Sequence, residues 1–356
     1  MIQNRNYMSP AEMTVSKCAQ LYAQHGYCRF MMNKFEDYAL YADNKSFLVD
    51  DRLLTFTDAG KLKALKPDIT LSIVKNLSSE QLPLKVFYDE AVYRVKKGDR
   101  EFSELRQMGL ELIGDDSAYA TAEVVCLAKA SLNNISHDNI LDISHMGIIT
   151  PLIEQACANG IDKQQLVQLI MQKNADGIRS LLVQKNVTSV IAELVEAYLP
   201  LGDMVAKLDS MFPDSDATMQ LNQLYQVLVI QGLEQNVYVD FSLIQNIGYY
   251  NGIIFNGYVK GVPVSVLSGG RYDPLLERFD RKAAAIGFAI YLDYIQYNES
   301  ALETDVLLIY SEHDSAQSVA YAVKALTEQG YSVMAAKQAP ANRSFVKTLT
   351  LQEVLA

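Results

Sequence analysis

Strand-like segments on either side of a long helical stretch constrain this fold more than any other feature of the sequence. Residues 47–57 and 84–94 are rich in β-branched and aromatic side chains and predict strands. From Leu105 to Ile113 the residues alternate, with Gln107 and Glu111 on one face and Met108, Leu110 and Leu112 on the other. Residues 116–235 change period. Ile149, Leu152, Ile153, Ala156 and Cys157, then Leu166, Leu169 and Ile170, predict a run of short helices, punctuated by Pro200, Gly202, Pro213 and Asp214. Strand patterns return at 237–241 and 248–267, with Lys260-Gly261 as a hairpin turn. Val306–Tyr310, residues 314–329 and Tyr331–Ala335 then read β-α-β. Ahead of all this, Ser9 can cap a helix with Pro10 at its first position and Glu12 reaching back. Val15, Cys18, Leu21 and Tyr22 recur along that helix, and Gly26 can end it. Strands, a helical run and strands again predict an α+β protein with a helical insert.

Composition removes several function classes. The 356 residues are 49% hydrophobic and 21% charged, ordinary for a globular protein. No apolar run reaches the roughly 18 residues of a membrane helix. Residues 1–30 are polar throughout and lack an apolar core segment, so no secretory signal is expected. Cys18, Cys28, Cys126 and Cys157 show no C-x-x-C spacing and read as reduced thiols of a cytoplasmic protein. Lys plus Arg number 31 against 42 for Asp plus Glu, a net charge of −11. An acidic total weighs against a nucleic-acid partner, which needs a basic patch.

No phosphate-cradling G-x-x-x-x-G-K-[ST] loop and no G-x-S-x-G elbow is present. His25, His137, His145 and His313 lie far apart, and none pairs with another metal ligand at helical or strand spacing, so no metal site is expected. Three segments stand out instead. The first is Leu65-Lys66-Pro67-Asp68-Ile69-Thr70. The second is Tyr93-Arg94, a charged loop, and Leu105-Arg106-Gln107-Met108-Gly109-Leu110-Glu111. The third pairs Gly248-Tyr249-Tyr250-Asn251-Gly252 with Ser268-Gly269-Gly270-Arg271-Tyr272-Asp273. Singly, these are a turn, a half-solvated strand and a bulge.

In this order and spacing they resemble the catalytic domain of class II aminoacyl-tRNA synthetases, and the histidyl-tRNA synthetase family in particular, over residues 9–295. Leu65–Thr70 is similar to that family's Leu-Arg-Pro-Glu-Gly-Thr. Tyr93-Arg94 through Gly114 is similar to its motif 2, Ile247–Tyr250 to its Leu-Asp-Tyr-Tyr, Gly269–Asp273 to its Gly-Gly-Arg-Tyr-Asp, and Ala285–Ala289 to the start of motif 3. The resemblance implies a class II synthetase-like, mostly antiparallel sheet flanked by helices. Its core would come from residues 1–115 and 236–300, the helical insert from 116–235, and a truncated C-terminal α/β unit from 301–356.

By the same resemblance Asp68 and Thr70 would hold the α-amino group of histidine. Gln107, Glu111, Tyr250 and Tyr272 would read its imidazole, with Arg94 and Tyr249 beside them. A carboxylate can accept from an ammonium, and Glu111 with tyrosine hydroxyls can satisfy both ring nitrogens. Gln107 and Glu111 are ~13 Å apart along their strand and share its face. The activating groups differ from the family's: Gln245 and Tyr294 stand where it has arginines, Gly248 where it has an acid, and Lys96 where motif 2 has a glutamate. A neutral amide cannot stabilise charge in an α-phosphate displacement. No catalytic residue and no cofactor are therefore expected.

Histidine recognition without activation resembles the family of regulatory subunits of ATP phosphoribosyltransferase. The likeness implies a short catalytic subunit as partner, made competent by the pairing and inhibited by L-histidine. It also implies a homodimer through the motif 1 region, within a hetero-octamer, with no nucleic acid and no membrane. The alternatives are a divergent synthetase-like amino-acid ligase, for which Lys96, Lys97 and Arg100 would have to replace the lost arginines, and a translational-control module.

Overall fold

The computed structural model describes residues 9–45, 48, 52–77, 82–95, 101–244, 249–295, 304–341 and 344–355. Lys96, Lys97, Arg100, Gln245, Ile247, Gly248 and part of the strand expected at 47–57 lie outside the described residues. Two compact units form: Thr14–Gln296, and Tyr297–Ala356 together with Met1–Met13.

Helix α1 (Pro10–Gln24) opens with the expected reciprocal cap. Ser9 N and Oγ donate to the Glu12 carboxylate at 2.8 and 2.9 Å, and Glu12 N donates back to Ser9 Oγ. Gly26, at φ +82°, turns the chain out of it. Strand β1 (Cys28–Arg29) follows, then β2 (Phe35–Asp37), α2 (Tyr38–Ala42), β3 (Thr55–Asp58), β4 (Lys61–Leu65) and α3 (Thr70–Asn76). Strands β3 and β4 close on Ala59 and Gly60, both at positive φ, and add β2 to make a small sheet.

A long hairpin starts the main sheet: β5 (Leu84–Val95) and β6 (Phe102–Ile113), paired antiparallel along their whole length. After α4 (Ala118–Ile135) comes β7 (Asn139–His145), then helices α5 (Met146–Ala158), α6 (Lys163–Met171), α7 (Ala175–Gln184) and α8 (Ile191–Glu196), strand β8 (Tyr198–Pro200), and helices α9 (Leu201–Met211) and α10 (Asp216–Gln231). Strands β9 (Val237–Asp240), β10 (Ile253–Val259) and β11 (Leu267–Arg271), helix α11 (Asp273–Glu277) and β12 (Ala285–Tyr291) complete the unit. The nine strands run β1-β5-β6-β12-β11-β10-β7-β9-β8. Only β1 with β5 and β7 with β9 are parallel. The fold is the α+β, mostly antiparallel arrangement that the resemblance implied.

Residues 116–235, read from the sequence as a helical run, are not all helical. Strand β7 lies inside that stretch and pairs with β10 over seven residues, as an interior strand third from the β8 edge of the sheet. Its Asn-Ile-Leu-Asp-Ile-Ser-His run is nearly all buried, so helical and strand periods cannot be told apart by pattern alone. Helix α4 lies on the sheet as well and shares one core with Leu141 and Ile143.

The alternation read from Leu105 to Ile113 separates two cores. Met108, Leu110 and Leu112 join Cys18 and Tyr22 of α1, α4 and the later helices. Leu105 and Ile113 join Tyr88, Ile69, Leu71 and Tyr272 on the opposite face. That second face carries Gln107 and Glu111.

In the other unit, β13 (Thr304–Ile309), α12 (Ala316–Glu328) and β14 (Val333–Ala336) form the expected β-α-β, with the strands parallel. The residues beyond it supply a third parallel strand, β15 (Phe345–Thr350), and a last helix, α13 (Leu351–Leu355). Leu308, Ala322 and Leu351 make a small core of their own there. Among the described residues no helix is long and apolar enough to cross a membrane, and all four cysteines are free.

Candidate functional site

Glu111 is the centre of the site. It sits two residues before the end of β6 with 2% of its surface exposed, and both carboxylate oxygens accept hydrogen bonds. Thr70 Oγ1, at the start of α3, donates to Oε1 at 2.9 Å, and Tyr272 OH donates to Oε2 at 2.6 Å. Burial pushes the Glu111 carboxyl up to about 8. The two hydroxyls pull it back down, while nearby Asp68 raises it further.

Asp68 precedes α3, and its Oδ1 accepts from Leu71 N at 2.9 Å, which holds the first turn of that helix. Burial raises its carboxyl too, against its backbone hydrogen bonds and the charge of Arg94. Thr70 therefore joins the two ends assigned separately from the sequence. Asp68 and Thr70, expected on the amine side, and Glu111, expected on the ring side, form one connected cluster.

Three tyrosines cover it. Tyr249 meets Tyr250 edge to face at 4.6 Å and stacks on Tyr272 at 5.9 Å. They are held by Asp273, which ends the Gly-Gly-Arg-Tyr-Asp segment. One of its oxygens accepts from Arg271 Nε and Asn251 Nδ2, the other from Ala285 N. Tyr272 N in turn donates to Ala285 O at 2.8 Å. Asp273→Ala strands those donors. It is expected to cost ~1–3 kcal/mol, the penalty of an unmet buried polar group, read as a lower urea midpoint.

Beneath the cluster the sheet is cleared by glycine. Gly287 on β12 lies directly opposite Glu111, and Gly270 on β11 lies opposite Gly287. A Cβ at 287 would overlap Glu111 Oε2, and one at 270 would press on Tyr250 Cδ1 at 2.8 Å. Gly109 on the same face leaves room for the Tyr88 ring. The sequence reading missed Tyr88, Gly287 and Gly109 as parts of this site. The β5–β6 hairpin could have revealed Tyr88, because the register that pairs Arg94 with Ser103 also pairs Tyr88 with Gly109.

Gln107 and Arg94 lie further along the sheet from Glu111. Gln107, 5% exposed, pairs with Glu90 on β5 and Tyr291 on β12. The Arg94 guanidinium lies over the Tyr291 ring at 5.8 Å. Tyr291 OH is 2.5 Å from Ser268 Oγ, and Tyr294 packs against Tyr291 with the ring centroids 5.6 Å apart. Asp293 accepts from Arg106 N, which fastens the end of this motif to β6. Aromatic rings and one arginine thus occupy this end of the site. Among the described residues no group of three or more His, Cys, Asp or Glu could hold a metal.

Comparison with known proteins agrees with this geometry. A family model described as histidyl-tRNA synthetase matches residues 7–295. The ATP phosphoribosyltransferase regulatory subunit of Caldanaerobacter subterraneus subsp. tengcongensis is 31% identical over 294 residues, covering 78% of this chain and 76% of that protein. Among solved structures, an ATP phosphoribosyltransferase regulatory subunit/histidyl-tRNA synthetase from Bacillus halodurans C matches with a TM-score of 0.77 at 23% identity, over 97% of this chain and 96% of its own. An ATP phosphoribosyl transferase complex from Thermotoga maritima matches with a TM-score of 0.64 at 21% identity, over 81% and 98%. A synthetase-type model that spans most of the chain, and a relative matched over most of both lengths, show that the chain belongs to the family of ATP phosphoribosyltransferase regulatory subunits, built on the histidyl-tRNA synthetase fold.

Proposed function

We propose that this chain recognises histidine in the Glu111 site, performs no synthetase chemistry, and acts on a short catalytic ATP phosphoribosyltransferase subunit as its activator and histidine sensor. The observation that carries the reading is the asymmetry of the site. The histidine side keeps Asp68, Thr70, Glu111, Tyr249, Tyr250 and Tyr272 in one hydrogen-bonded and ring-packed cluster. The nucleotide side has Tyr294 packed on Tyr291, with Arg94 turned onto the same ring. A feedback sensor needs recognition and no reaction, which is what such a division supplies. The solved complex of the Thermotoga maritima enzyme supports a catalytic partner for a chain of this fold. A homodimer within a hetero-octamer, working in the cytoplasm, completes the proposal, and light scattering on the purified complex gives its mass.

Loss of activation is tested directly. With Tyr294 and Gln245 in place of arginines, histidine-dependent exchange of labelled pyrophosphate into ATP is expected to stay at the buffer background. Exchange above background would favour the amino-acid ligase alternative.

A further inference from the structure

The charges of the site specify more than which amino acid it takes. On the reading that histidine binds here, they also specify its protonation state. Two carboxylates, half-buried Asp68 and buried Glu111, share one cluster, linked through Thr70. The groups that face Glu111 are Thr70 from α3, Tyr272 after β11, Tyr88 from β5, and Tyr249 and Tyr250 before β10. Burial holds these four phenols far above their ordinary range, so none is charged near neutrality. Among the described residues the cation that bears on the two acids is Arg94, and it acts on Asp68.

The described residues thus set one cation against two acids, and two neighbouring carboxylates withdrawn from water do not both ionise cheaply. Histidine brings a carboxylate, an ammonium and a ring. If its carboxylate faces Arg94 and its ammonium faces Asp68, Glu111 is left to meet the ring.

We propose that the site binds histidine as the imidazolium, with Glu111 as its counter-ion, the proton passing from Glu111 to the ring as the ligand enters. The Glu111 O–H bond breaks and a ring N–H bond forms, so no outside proton donor is needed. The hydroxyls of Thr70 and Tyr272 already donate to both Glu111 oxygens, an arrangement that suits the carboxylate once a cation is opposite. Burial pushes the Glu111 carboxyl up to about 8, so before the ligand enters it holds its proton up to about that pH. A free imidazole holds its proton only below about 6.5.

The two limits give a specific pH pattern. Between them, binding exchanges no net proton with water. Above the upper limit it takes one up, and below the lower limit it releases one. Affinity is therefore highest near neutral pH and falls about tenfold per pH unit on either side.

The test uses the full chain with ring-¹⁵N histidine, and calorimetry in phosphate and Tris buffers at pH values below, between and above those limits. Both ring nitrogens are expected to carry protons in the bound ligand at a pH where free histidine is neutral. The proton count is expected to change sign across the series. Thiazolylalanine, whose ring stays neutral, is expected to bind at least tenfold more weakly than histidine. Glu111→Gln keeps the shape of the side chain and should erase the upper limit of the pH profile, with circular dichroism checking the fold. A neutral bound ring, or thiazolylalanine binding as tightly as histidine, overturns the proton assignment and leaves the site in place. Histidine affinity unmoved by Glu111→Gln overturns the site itself, and this inference with it.

Discussion

Phosphoribosyl-ATP is expected to form when this chain is mixed with a short catalytic ATP phosphoribosyltransferase subunit, at a rate that neither shows appreciably alone, and added histidine is expected to suppress it. The expectation rests on the proposed reading of the site, with the Glu111 cluster as its amino-acid side and the Tyr291 and Tyr294 rings at its other end. A ligand shifts activity at a distance only through a difference in affinity between two states of the complex. Coupling of the usual size, ~1–3 kcal/mol, gives roughly a five- to hundredfold change. Two purified chains and an absorbance assay for the product suffice. A catalytic chain that ran equally fast with and without this protein, and responded to histidine identically in both cases, would sink the regulatory reading.

Glu111→Ala is expected to weaken histidine binding to the complex by ~1–3 kcal/mol, roughly five- to 150-fold, because it leaves a ligand donor unmet and frees Thr70 Oγ1 and Tyr272 OH from their acceptor. Gly287→Ala should act in the same direction for a different reason. The new methyl overlaps Glu111 Oε2 and drives the carboxylate off its two hydroxyls, while the chemical groups of the site all remain. Calorimetry separates the cases, and thermal melts show whether either variant has lost its fold. Unchanged histidine affinity in both variants would move the sensor to another surface, such as the interface between subunits.

The legible parts of this protein are those governed by local rules. The capping box at Ser9 and Glu12 depends on residues three apart, and it forms as read. The alternation through β6 assigns Gln107 and Glu111 to one face by the two-residue period of a strand alone. Strand β7 was not legible, because a continuously buried segment carries neither period clearly. The strand and helix that complete the C-terminal unit lie beyond the β-α-β pattern read there, and no local pattern carries the parallel register that Phe345–Thr350 makes with β13.

The residue types of the site were determined by the sequence itself, since Asp68, Thr70, Glu111, Tyr249, Tyr250 and Tyr272 are each readable by motif. Their connection was decided by tertiary structure. Thr70 is 41 residues from Glu111 and Tyr272 is 161 residues away, yet they donate to its two oxygens. That meeting requires β12 to lie between β6 and β11, which places Gly287 and then Gly270 beside Glu111 and clears the floor on which the tyrosines pack. Strand order of this kind follows from burying both faces of a whole sheet at once, a global balance that no window of sequence contains. The same burial acts on Glu111: the sequence names a carboxylate, and the fold, by removing water and setting Asp68 nearby, pushes it up to about 8.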